Sequence, residues 1–123
     1  MSDESTRFRR PSEQEMRLLK HLVARASDLQ LGPDWPETLR VQAMADGGMG
    51  SLKLASEEAF QSDRPIGRRV AELQFADADG VSVLASLNID QNGQLLELDI
   101  WKTDFSPLIR LPDKLPDPSP PDG

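Results

Sequence analysis

The chain has no cysteine, so neither a disulfide framework nor a thiolate metal site is open to it. It has one histidine, His21, and helical spacing sets that residue on the solvent side of its helix. Without a second imidazole or a thiol, a transition-metal site has too few ligands. A Ser–His–Asp triad would have to recruit the same surface His21, and no nucleophile-elbow pattern accompanies it. No apolar run approaches the roughly 20 residues that span a membrane. The opening Met1-Ser2-Asp3-Glu4-Ser5-Thr6-Arg7 lacks the apolar core of a signal peptide. These absences lead to the expectation of a soluble, cytoplasmic protein without a membrane partner.

Basic residues are scarce in the second half. Residues 70–123 contain only Lys102, Arg110 and Lys114 against ten acidic residues, while residues 1–69 balance eleven against eleven. The whole net charge of −7 therefore lies in the C-terminal part. Nucleic-acid binding needs cations that displace counterions from phosphates, so no nucleic-acid partner is expected. A basic protein partner suits the charge, because complementary fields speed encounter.

At 123 residues the chain has the length of one domain. Its organisation reads as a flexible N-terminal arm over 1–11, a single α+β domain over 12–111 and a disordered tail from Pro112. That tail has five prolines in its twelve residues. Ser12-Glu13-Gln14-Glu15 matches a capping box and predicts a helix running to about Ser27. Met16, Leu19, Leu22 or Val23, and Ala26 fall on one face of it. The glycine and prolines of Gly32-Pro33-Asp34-Trp35-Pro36 predict an irregular crossing. Alternation over Leu39–Ala43 and Ser51–Leu54 predicts a hairpin around Asp46-Gly47-Gly48-Met49-Gly50. A phosphate-cradling loop would need a helix after it, and here a strand pattern follows. Residues 56–66 read as a connection with one helical turn at 57–60.

The stretch Arg69–Thr103 can be registered from its alternation. Asn92-Gly93 as a two-residue turn pairs Ile89 with Leu96, Leu87 with Leu98 and Ala85 with Ile100. A three-residue loop, Ala78-Asp79-Gly80, pairs Phe75 with Val83, Leu73 with Ala85 and Ala71 with Leu87, keeping one apolar face throughout. The expected architecture is an N-terminal helix packed on a mostly antiparallel sheet of about five strands. Phe105 and Leu108 are expected to tuck against a sheet edge.

The same register defines an outer face. Glu72, Ser86 and Asp99 form one row, Gln74, Leu84 and Trp101 the next, and Val70, Asn88 and Glu97 a third. Apolar anchors ringed by polar groups are the usual chemistry of interface hot spots. Glu72, Leu84, Glu97, Asp99 and Trp101 are therefore the candidate partner-binding residues. As a catalytic pair, Glu72 and Asp99 would stand about 10 Å apart on an open face that offers little desolvation. Asp77-Ala78-Asp79-Gly80 and Asp90-Gln91-Asn92-Gly93 resemble pieces of calcium loops but lack the distal bidentate Glu, and turn geometry already explains them. No catalytic residue, cofactor or metal is expected.

Three segments carry a resemblance: Asp46-Gly47-Gly48-Met49-Gly50-Ser51-Leu52, Asp77-x-Asp79-Gly80-Val81, and Glu97-Leu98-Asp99-Ile100-Trp101-Lys102-x-Asp104-Phe105-Ser106-Pro107-Leu108. With the Arg10-Pro11-Ser12 helix start, they make residues 7–112 similar to a family of small bacterial proteins of unknown function. The resemblance implies a complete small domain and supplies no mechanism. In size, acidity and lack of cysteine the chain also resembles immunity proteins of bacterial toxin systems. The leading expectation is a non-enzymatic protein-interaction domain, of the immunity type that inhibits a basic toxin. The rivals are a small enzyme or ligand-binding domain with its pocket where the Gly47–Gly50 loop meets Trp35 and Asp104–Phe105, and a homodimeric module.

Overall fold

A computed structural model describes residues 8–26, 29, 31–45, 47–56, 65–112 and 115. Residues 1–7 of the arm expected over 1–11, the helical turn expected at 57–60 and nearly all of the tail after Pro112 lie outside the described residues. Helix α1 (Glu13–Arg25) starts at the predicted capping box. The Glu15 amide donates to Ser12 Oγ at 3.1 Å and the Ser12 amide to Glu15 Oε1 at 2.8 Å. Arg9 clamps the same carboxylate with two bonds of 2.8 and 3.0 Å. Arg9 also exchanges backbone hydrogen bonds with Val41, which ties the end of the expected arm next to the helix to the sheet.

Five strands follow: β1 (Leu39–Ala43), β2 (Leu52–Ser56), β3 (Ile66–Ala76), β4 (Ser82–Asp90) and β5 (Leu95–Lys102). They form one antiparallel sheet in the order β1-β2-β5-β4-β3. The first hairpin thus adds to the far side of β5, an order that alternation could not choose. The irregular crossing contains a single helical turn, α2 (Trp35–Thr38), with Pro36 as its second residue, where a missing amide N–H costs no intrahelical bond.

Leu18, Leu19 and Leu22 of α1 pack under β3 and β4, in a core with Leu39, Val41, Leu52, Leu54, Leu73, Val83, Leu87, Leu98 and Ile100. Each such side chain stabilises the fold by about 1.5–3 kcal/mol. The buried stripe of α1 is rotated from the predicted one. His21 is 7% exposed, not solvent-facing, while Met16 and Val23 are half-buried at the margin.

The β3–β4 register is as predicted from Phe75↔Val83 to Ala71↔Leu87. Beyond Ala71 a bulge at Val70 places Arg69 opposite Asn88, so Arg69 replaces Val70 in the third outer row. The β4–β5 turn also differs from expectation. Asp90 N donates to Gln94 O at 2.8 Å and Gly93 N to Asp90 O at 3.1 Å, which makes a three-residue loop of Gln91-Asn92-Gly93. Asp90 Oδ1 fixes it by accepting from the amides of Asn92 and Gln94. Ile89 consequently faces Leu95. An extra residue, Leu96, is absorbed as a bulge, and the predicted pairs Leu87↔Leu98 and Ala85↔Ile100 are recovered.

Candidate functional site

The outer face carries the predicted rows Glu72–Ser86–Asp99 and Gln74–Leu84–Trp101. Leu84 is half-buried directly across from Trp101, whose indole is 46% exposed. Asn88 Nδ2 donates to Asp99 Oδ2 at 3.0 Å. Burial, and then the charge of Asp99 and a hydrogen bond with it, push the Glu97 carboxyl up, against the opposing pull of Lys53. Lys53 stands across from Glu97 on β2, and Arg69 meets Glu72 at 3.3 Å. The five predicted residues therefore share one face, with two cations at its margins that the sequence reading did not place there.

Phe105, expected against a sheet edge, is instead 69% exposed. Its ring stands 6.0 Å from that of Trp101 at an angle of 54°. Its amide closes a turn onto Lys102 O at 2.8 Å, and its φ is +63°. That left-handed conformation is rare for a bulky side chain and costs about 1–2 kcal/mol. Leu108 does pack against the core.

Beneath this surface lies a charged knot. Strand alternation sends Lys102 to the core face, opposite Val83, and its side chain is 0% exposed. Its ammonium donates to Asp77 Oδ2 at 2.8 Å, Asp79 Oδ2 at 2.7 Å and Pro107 O at 3.2 Å. Asp77 also accepts from the amides of Ala78, Ile109 and Arg110. Burial would raise the Asp77 carboxyl, yet the Ile109 amide, the Lys102 ammonium and the remaining amides hold it well below the ordinary range. For Lys102, burial opposes charge, but the two carboxylates raise its pKa. The Gly48 carbonyl accepts from Leu108 N at 3.0 Å. Ser51 Oγ accepts from Ile100 N at 2.8 Å and donates to Ile100 O at 3.2 Å. The glycine-rich loop, the Asp77–Gly80 turn and the segment after β5 thus meet at one end of the sheet. Lys102 is not among the residues the outer-face pattern singles out, because it points inward. Parity with Leu98 and Ile100 already marked it as an inward lysine.

Trp35 is elsewhere. With Leu31, Leu39 and Leu95 it lines a cavity of about 220 Å³ at the opposite end of the sheet, so the expected meeting of Trp35 with the Gly47–Gly50 loop does not occur. A second cavity of about 220 Å³ does adjoin that loop, between Gly50, Leu52, Ile100, Leu108, Leu111 and Glu15. No cluster of three metal-ligating side chains occurs among the described residues. No helix among them is long and apolar enough to cross a membrane.

A family model described as a domain of unknown function (DUF6984) matches residues 8–112. No curated protein and no solved structure matches the chain.

Proposed function

The chain belongs to the DUF6984 family, a domain family of unknown function, and we propose that it acts as a protein-interaction domain docking through the outer face of its sheet. One observation carries this reading. Trp101 stays 46% exposed on β5, with Leu84 across from it, Asp99 and Glu72 in the next row of the face and Glu97 in the row after that. Leu84 and Trp101 supply apolar contact, and the carboxylates supply charge complementarity to a basic partner. Inhibition of a basic bacterial toxin, acting in the cytoplasm, is the finer form of the reading. It draws support from the acidic excess of residues 70–123 and would bring a toxin-like gene beside the reading frame. The test is to identify partners by cross-linking to the wild-type chain and compare Trp101→Ala and Asp99→Lys. Loss of one partner in both variants, with unchanged circular dichroism, is the expected result. A partner retained by both variants places docking elsewhere.

The cavity beside Gly50 supports a second reading, a small-ligand site. A thermal-shift screen of metabolites and divalent ions addresses it. A ligand at a hundred times its dissociation constant stabilises the fold by about 2.7 kcal/mol, and silence across the screen favours the docking face.

A further inference from the structure

We propose that Trp101 and Phe105, with the Asp99 carboxylate in the adjacent row of the face, form a receptor for a guanidinium group, the side chain of an arginine presented by a protein partner. The inference rests on the docking role of the outer face and specifies what that face grips.

Phe105 is the first ground. The turn it closes needs a left-handed residue, which glycine supplies without a steric penalty. The fold instead holds a phenylalanine there at φ +63° and leaves it 69% exposed. Neither turn geometry nor core packing explains an aromatic at that position. Strain of this kind persists where the surroundings enforce it, and it concentrates at binding sites. The ring pair is the second ground. Trp101 and Phe105 are tilted at 54° with centroids 6.0 Å apart, a pair in contact with each other that leaves part of each ring in solvent. Indole is the strongest π acceptor for a cation among side chains.

Charge decides the sign of the guest. Asp99 precedes Trp101 by two residues on the same strand face, about 6.6 Å along the chain. Its carboxylate accepts from Asn88 Nδ2 at 3.0 Å and shares a hydrogen bond with Glu97 in the row beyond, and a guanidinium would take the lone pairs these leave. Asp104 lies in the turn between the two rings, and its carboxylate is stabilised by the hydroxyl and amide of Ser106. The row Gln74–Leu84–Trp101 contains no basic side chain, whereas Lys53 and Arg69 stand in rows further along the face. A planar, weakly hydrated guanidinium stacks on aromatic faces and pairs with carboxylate better than an ammonium does. The Lys102 knot fixes the turn from beneath, because Lys102 Nζ holds Pro107 O while Lys102 O holds the Phe105 amide. Such preorganisation lowers the ordering cost of binding.

The test follows the indole N–H signal of Trp101 by NMR in the full chain, assigned by its loss in Trp101→Leu. The probes are acetyl-Gly-Leu-X-Leu-Gly-amide peptides with X as arginine, citrulline, lysine or glutamate. Citrulline keeps the shape of arginine and removes the charge. The expected result is saturable shifting with at least a five-fold preference for arginine over citrulline, reduced by salt and by either Asp99→Asn or Phe105→Gly. Equal response to arginine and citrulline overturns the guanidinium receptor while leaving an apolar docking face standing. Silence of all four probes also overturns it, and the docking role is then judged by the partner lost on Trp101→Ala.

Discussion

Lys102 Nζ lies 2.8 Å from Asp77 Oδ2 with neither side chain exposed, and this bond joins the end of β5 to the turn that begins β4. The two partners are not equivalent. Asp77→Ala removes the acceptor of three backbone amides and leaves a buried ammonium with Asp79 and Pro107 O alone. These amides are part-buried, so each one left without a partner costs at most about 1–3 kcal/mol. Lys102→Met leaves Asp77 with its three amide donors and fills the space with apolar atoms. Thermal unfolding should therefore show Asp77→Ala to be markedly less stable than Lys102→Met. Equal losses would mean that the ion pair, and not the amide cradle, holds the segment after β5.

Much of this architecture was legible. Alternation in β3 and β4 has one solution that keeps Leu73, Phe75, Val83 and Ala85 on a single side, and the observed register is that solution. The β4–β5 turn was misread because Asn-Gly alone favours a two-residue reversal. Asp77-x-Asp79-Gly80 and Asp90-x-Asn92-Gly93 share the pattern Asp-x-Asx-Gly, and both form three-residue loops closed by the same backbone bonds. Comparing the two turns would have corrected the second. The bulges at Val70 and Leu96 carry no signal of their own, since neither residue is a glycine or proline. They moved Arg69 onto the outer face and left Glu97, Asp99 and Trp101 where parity had set them. His21 was misplaced because the apolar stripe was centred on Met16, Leu19 and Val23, whereas the buried stripe runs through Leu18, Leu19 and Leu22 and takes in His21.

Acid should loosen the knot in a defined range. The folded-state pKa of Asp77 lies below its ordinary 3.8, so its stabilising contribution is complete above about pH 4 and is lost as pH falls toward the folded value. Glu15, also held low despite its partial burial because Arg9 and Ser12 bind it, acts in the same direction. Lys102 is raised above 10.5, so its contribution is full below that pH and is lost on titrating upward through the folded value. Urea unfolding between pH 2 and 7 should give an acid limb that flattens partly in Asp77→Asn and further in Asp77→Asn/Glu15→Gln. An unchanged slope in the double variant would place the acid-sensitive groups elsewhere.

Glu97 has the opposite sign. Burial, followed by the neighbouring Asp99, raises its pKa above 4.5, so the ionised form is less at ease in the folded chain than in the unfolded one. The cost is present at neutral pH and disappears as pH falls below about 4. Glu97→Gln should then stabilise the protein at pH 7, by less than about 1 kcal/mol because the site is partly solvated. The gain should vanish at pH 3.5. A variant less stable than wild type at pH 7 but not at pH 3.5 would show that the pairing of ionised Glu97 with Lys53 outweighs its repulsion by Asp99.

Ser51 tests how the two hairpins are joined. The β2–β5 ladder pairs only Leu52 with Leu98 and Lys53 with Glu97. Next to it, the buried Ser51 hydroxyl bonds both the amide and the carbonyl of Ile100, continuing the ladder with a side chain. Ser51→Ala leaves both groups buried without that partner, a loss of about 1–3 kcal/mol. Hydrogen exchange at the Ile100 amide should accelerate in the variant by more than the global loss of stability explains. Exchange that follows global stability alone would mean that the join is held by packing of Leu52 and Leu98.

Phe105 separates stability from binding. Replacing it with glycine removes a strained left-handed residue, worth about 1–2 kcal/mol, and deletes a ring contact with Trp101 worth at most about 0.5–1.5 kcal/mol. Glycine also loosens the unfolded chain, which offsets part of the gain by about 0.4–1 kcal/mol. The three contributions nearly cancel, so the net change in melting temperature should be small, unusual for removal of a large aromatic. Phe105→Ala keeps the strain and loses the ring, so it should be the less stable of the two. Stability ordered Phe105→Gly above Phe105→Ala, with arginine-peptide response weakened in both, assigns the aromatic to recognition. The reverse order, or a large loss in both variants, assigns it to holding the turn.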